Sequence, residues 1–199
     1  LAVLCGYLAL GATLQELPPF LAAKFAVGPA LTGLVVGAAF AATAAGRPFA
    51  GRWGDAGRSR PVVVVGGLTA AAAGVGTLFA PDIAVLLLCR LLMGAGEAAL
   101  FSGALPWVLN DAPPDQRGRV AGWFGLSMWG GLTLGPLLAA AIGAATDADT
   151  VWWTVAALPL VSAALAATAP EPASVGAPRI PARLIPAGVS LPGSIIGLA

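Results

Sequence analysis

The sequence predicts an all-α integral membrane protein, with six transmembrane helices followed by the start of a seventh. Of its 199 residues, 58% are hydrophobic and only 10% charged, whereas soluble domains are about 25% charged. The mean hydropathy is +0.89. Uncharged apolar runs recur along the chain, each long enough as a helix to cross about 30 Å of hydrocarbon.

Bounded by charges and turn residues, the first span covers 1–23 and is interrupted by Glu16 and the pair Pro18-Pro19. The second covers 28–50 and the third 61–80. Between them, Gly51-Arg-Trp-Gly-Asp-Ala-Gly-Arg-Ser-Arg60 packs three arginines and an aspartate into a glycine-rich hinge. The turn Pro81-Asp82 leads to the fourth span, 83–109; the fifth covers 120–145 and the sixth 150–169. A proline-rich stretch with Arg179 and Arg183 then reads as an irregular linker over 170–183, and 184–199 starts another apolar helix. The domain reading is therefore a six-helix bundle over 1–169, a linker, and a truncated seventh helix. A start at Leu1 rather than methionine and a last run too short to span predict that more of the polypeptide lies beyond Ala199.

Lys and Arg near span ends stay on the cytoplasmic side. Arg47, Arg52, Arg58, Arg60, Arg117, Arg119, Arg179 and Arg183 fall on one side, and Lys24 alone on the other. That bias of eight to one predicts a cell-membrane protein with a cytoplasmic N-terminus and linker. Trp152 and Trp153, opening the sixth span on the outer side, read as interface anchors.

Composition also excludes function classes. With no histidine, the chain lacks the commonest proton shuttle, metal ligand and triad base. Cys5 and Cys89 sit in apolar runs without a CxxC spacing and read as small hydrophobes. No HExxH or serine–histidine arrangement is present, so no metal, cofactor or enzymatic activity is predicted. The basic residues form no stripe for nucleic acid.

Three ionisable side chains, Glu16, Arg90 and Glu97, fall well inside spans, where each costs several kcal/mol unless it faces a partner or a water-filled cavity. Arg90 and Glu97 are seven apart, on one helix face to within about 20° and about 10 Å apart along the axis. They cannot pair as neighbours but can line one cavity at two depths. For Arg90 the alternative is a structural clamp on helix carbonyls; a buried carboxylate such as Glu16 or Glu97 is a candidate proton carrier. These charges lie in the first and fourth spans, which correspond if spans one to three and four to six are two repeats. In the fifth span, Gly122, Gly131, Gly135 and Pro136 predict close packing and a bend.

These residues resemble the major facilitator superfamily, and the likeness runs over nearly the whole chain as the N-terminal six-helix half plus linker. Gly51 and Asp55 are similar to that family's loop between helices two and three, G-x-x-x-D-[RK]-x-G-R-[RK]. The following Ala56-Gly57-Arg58-Ser59-Arg60 is one residue short before the glycine, so either Arg58 or Arg60 takes the family arginine's place. Arg90-Leu-Leu-Met-Gly94-Ala-Gly96 resembles the fourth-helix R-x-x-x-G-x-G element, and Gly122, Gly131 and Gly135-Pro136 resemble the fifth-helix element of proton-driven exporters, with Ala139 and Ala140 where that element prefers glycines.

The resemblance implies a half-bundle of two three-helix repeats and a proton-coupled transporter exporting a small molecule, drug-like or a sugar, by alternating access. It implies Glu16, Arg90 and Glu97 as proton-coupling or substrate residues, and Gly51, Asp55, Arg58 and Arg60 as a cytoplasmic gate. The implied partners are the substrate, protons, membrane lipid and the missing C-terminal half. A proton-coupled uptake symporter keeps the same fold, and a non-transporting scaffold would leave the buried charges unexplained.

Overall fold

The structure, a computed structural model, describes residues 1–170. The expected linker beyond Pro170 and the seventh-helix start at 184–199 lie outside the described residues. The described residues fold into six α-helices: α1 (Ala2–Phe25), α2 (Pro29–Trp53), α3 (Ser59–Phe79), α4 (Ile83–Asp111), α5 (Arg117–Ala145) and α6 (Ala148–Thr168). Among the described residues, four helical stretches are long and apolar enough to cross a membrane: the run Pro29–Phe79, α4, α5 and α6. α1 falls outside that set, being diluted by Gln15, Glu16 and two prolines.

The run Pro29–Phe79 reverses direction at its hinge, and α4 reveals it. Ala39 and Gly46 of α2 meet Gly94 and Ala98 of α4, so these two helices run parallel. Val62 of α3 meets Gly103, and Gly76 meets Cys89, so α3 runs antiparallel to α4. The reversal occurs in a five-residue turn, Gly54–Arg58, around Gly57, whose φ of 77° is left-handed. Glycine alone enters that region without a steric penalty. The glycine-rich hinge is therefore a short turn closely flanked by helix, and Arg47 and Arg52 both lie on α2.

Helix ends follow local rules. Pro29 opens α2, where its missing N–H has no helical partner to lose. Asp82 caps α4 by accepting from the Val85 N–H at 2.9 Å, and Asp147 caps α6 by accepting from the Thr150 N–H at 2.7 Å. Pro18 and Pro19 do not end α1, and Pro48, Pro106, Pro136 and Pro159 likewise lie inside helices. Neighbouring helices shield the backbone groups such prolines leave free.

α1 packs on α5 and α6, α4 packs on α2 and α3, and α3 meets α6, while α1 and α4 touch only lightly. Two apolar clusters fill the interior. One, holding Leu17, Leu21, Val35, Leu86, Met93 and Trp152, lies towards the end bearing the α1–α2 and α3–α4 turns. The other, holding Val3, Tyr7, Val63, Leu100, Ala104 and Phe124, lies towards the hinge. Two basic side chains fasten helix C-termini, the favourable end for a cation. Lys24 donates to Leu78 O at 2.8 Å at one end, and Arg60 donates to Ala167 O at the other.

Candidate functional site

The buried charges sit where the two apolar clusters meet along α4. Leu86, Arg90, Met93 and Glu97 recur at helical spacing on one face, with Met93 in one cluster and Leu100, just past Glu97, in the other. Arg90 is 0% and Glu97 5% exposed. Among the described residues no ion pair forms within 4.0 Å. Arg90 Nη1 lies 2.9 Å from Met93 Sδ, while its Nε and Nη2 have no partner. Glu97 Oε1 also has none. Buried polar groups left unsatisfied in this way are costly.

Small residues make room for this arrangement. A Cβ on Gly94 would run into the Ala39 carbonyl, so α2 and α4 cross in backbone contact. One turn beyond Ala39, Thr43 Oγ1 lies 2.9 Å from Ala39 O, 3.0 Å from Gly94 O and 3.4 Å from Glu97 Oε2. A further turn along α2, the Arg47 guanidinium stacks over the Phe101 ring at 4.5 Å. Phe101 in turn packs edge-on against Tyr7 and Phe124. Thr43 and Arg47 were not singled out from the sequence as members of this site. Their signal was a threonine in an alanine-rich stretch with an arginine at i+4, and it gains meaning only once α4 lies against α2.

Glu16 is half-buried on α1 and is not brought together with Glu97. A Cβ on Gly6 would come within 2.9 Å of Leu100 Cδ1, which sets the level of α1 against α4. Ten residues along each helix from that contact, Glu16 and Arg90 stand at about the same height, about 15 Å nearer the opposite end. Glu16 and Arg90 thus stand at one depth and Glu97 at another.

In the fifth helix the predicted glycines divide. Gly131 and Gly135 are buried against α1: a Cβ on Gly131 would lie 2.7 Å from Tyr7 Cβ, and one on Gly135 2.6 Å from Leu8 O. Pro136 Cδ adjoins Gly11. Gly122, expected to pack closely, has open space around its Cβ position, as have Gly125 and Gly130. Trp123 and Trp129 on the same helix are each 64% exposed.

At the hinge, Asp55 and Arg58 are exposed, and Gly51 lies in the last turn of α2 with open space beside it. Arg58 lies at the edge of an apolar groove of about 410 Å³ formed by Phe49, Trp53, Val62 and Val65 over Ala95 and Ala99. Arg60 points away from Asp55 to the end of α6. No group of three or more metal-ligating side chains occurs among the described residues.

Comparison with known proteins shows the family of the chain. The chain matches the Major Facilitator Superfamily over residues 1–196. It is 28% identical to an MFS-type transporter of Salmonella typhimurium, with 97% of this chain aligned to 52% of that protein. It is 31% identical to one from Pseudomonas aeruginosa over 65% of this chain and 34% of the relative, and 29% identical to one from Burkholderia mallei over 68% and 35%. The chain thus spans about half the length, or less, of the curated relatives it matches. Its apolar helices and its match over 196 residues mark it as a multi-pass membrane protein, and it belongs to the Major Facilitator Superfamily.

Proposed function

We propose that this chain is the N-terminal half of a proton-coupled secondary transporter that exports a small molecule by alternating access. The observation that carries the reading is Glu97 with Arg90: two ionisable groups buried on one face of α4, without an ion-pair partner, at a cost that packing alone does not call for. Glu97 serves as the proton-binding carboxylate, Arg90 tunes it from about 10 Å away along the helix, and Glu16 offers a second carboxylate at the level of Arg90.

The packing supports two three-helix repeats. α1 contacts α5 and α6 as α4 contacts α2 and α3, which is the pairing expected if α1–α3 and α4–α6 are related by a twofold axis. α2 and α5 take equivalent places in that scheme and leave apolar residues uncovered, Leu34 at 60% and Leu137 at 63% exposed among them. Those faces suit a C-terminal half of the same polypeptide, with the substrate between the halves.

The basic bias places the hinge and the N-terminus on the cytoplasmic side of the cell membrane, where Gly51, Asp55 and Arg58 form the gate. Arg60, engaged by α6, anchors that gate to the bundle. The Gly131, Gly135 and Pro136 contact with α1 favours export over uptake, by resemblance to the exporter element. The test is flux by the full-length parent in proteoliposomes under an imposed pH gradient, against a panel of dyes and sugars. Gradient-driven flux that Glu97→Gln uncouples supports the reading; a parent that moves nothing across the panel, or a mutant that transports normally, contradicts it.

A further inference from the structure

Thr43 offers one hydroxyl hydrogen to three oxygens. Its approach to Ala39 O is the local contact that helical threonines commonly make. The approaches to Gly94 O and Glu97 Oε2 reach across to α4. A hydroxyl has a single donor and two acceptor lone pairs, so it cannot serve all three oxygens, and the protonation of Glu97 decides among them. A neutral Glu97 donates its O–H to Thr43 Oγ1, and Thr43 directs its own hydrogen to a carbonyl, Gly94 O being the one on the facing helix. An ionised Glu97 can only accept, and it draws the Thr43 hydrogen to Oε2 because charge-assisted bonds are the stronger. The bond to Gly94 is then released.

The location gives this exchange its leverage. Gly94 and Ala39 are in backbone contact, so the helices meet at the same crossing that Thr43 bridges. We propose that Thr43 is the positioning residue that converts the protonation state of Glu97 into the presence or absence of the hydrogen bond from α2 to the Gly94 carbonyl at the α2–α4 crossing. The inference rests on Glu97 being the proton-binding carboxylate proposed above.

The other charged or titratable groups within electrostatic reach of Glu97 are Arg90 on α4, Arg47 on α2 and Tyr7 on α1. α3 and α5 carry ionisable side chains only at their starts, Arg60 on one and Arg117 and Arg119 on the other. Thr43 alone hydrogen-bonds the Glu97 carboxyl among the described residues.

The experiment is pH-difference infrared spectroscopy of the full-length parent in lipid vesicles, with proton-driven dye flux measured on the same samples. Glu97→Gln identifies the protonated-carboxyl band of Glu97 by removing it. Thr43→Val, which keeps the shape and loses the hydroxyl, is expected to move that band to higher frequency and to lower proton-driven flux about tenfold, the worth of one hydrogen bond. Thr43→Ser restores both. Thr43→Ala replaces the valine variant if that one does not insert. A band and flux unchanged by losing the hydroxyl, or a serine variant as impaired as the valine one, overturns the role of Thr43. Absence of any band sensitive to Glu97→Gln overturns the reading of Glu97 itself, and this inference with it.

Discussion

A guanidinium with no exposure and two unpartnered nitrogens destabilises the structure that holds it, and Arg90 is such a group. Replacing buried charged groups by apolar residues of similar volume is often neutral or stabilising, by about 1–4 kcal/mol for ion pairs. Arg90→Met should therefore leave thermal stability in detergent unchanged or raised, while transport by the parent is lost. A marked fall in stability would show instead that Arg90 is a structural clamp. At Gly94, an added methyl meets the Ala39 carbonyl, a backbone atom that yields only if α2 moves. Gly94→Ala should cost about 1–3 kcal/mol by overpacking, read as a lowered unfolding midpoint; an unchanged midpoint would show that the crossing is looser than described.

At the scale of elements, α5 supplies an internal comparison. Gly135→Ala drives a Cβ towards Leu8 O, Ala12 N and Gly11 Cα, so the α1–α5 contact should open and stability fall. Gly122→Ala meets nothing within 4 Å and should stay within about 0.5 kcal/mol of the original chain. Equal effects at both positions, in matched unfolding experiments, would contradict the packing. The start of α6 is expected to respond to pH. The Thr150 backbone N–H, seconded by its hydroxyl, holds the Asp147 carboxyl below the usual carboxylate range. That stabilisation is fully present above the unfolded carboxyl's pKa and is lost as pH falls through the depressed folded value. Asp147→Ala should remove this acid-side loss from the stability–pH profile and leave the rest of the curve parallel; a profile with the same acid limb would contradict the cap.

How much of this was legible beforehand varies with the range of the interaction. Arg90 and Glu97 could be read as a pair because seven residues fix a shared face on a helix. The close approach at Gly131 and Gly135 could be read from their spacing. Gly122 belongs to the same pattern yet faces open space, because which side of a glycine-rich helix meets a neighbour is decided by the neighbour. Thr43 and Arg47 stayed hidden for the same reason, since their partners on α4 are about fifty residues away in sequence. The prolines of α1 looked like an interruption, but packing against α5 and α6 keeps the helix continuous.

For the whole molecule, α1 packs with α5 and α6 and α4 packs with α2 and α3, so that α1 and α4, the helix that carries Arg90 and Glu97, touch only lightly. In the proposed transporter a second half closes over α2 and α5, and movement between the halves exposes Glu97 first to one side of the membrane and then to the other. Coupling of substrate to protons then runs through one carboxyl. The decisive measurement is proton movement on substrate addition, followed with a pH-sensitive dye inside proteoliposomes that hold the full-length parent or its Glu97→Gln variant. Substrate-triggered proton flux in the parent, with substrate exchange but no proton flux in the variant, is the predicted result. Equal proton flux from both, or transport with no proton movement in the parent, would contradict it.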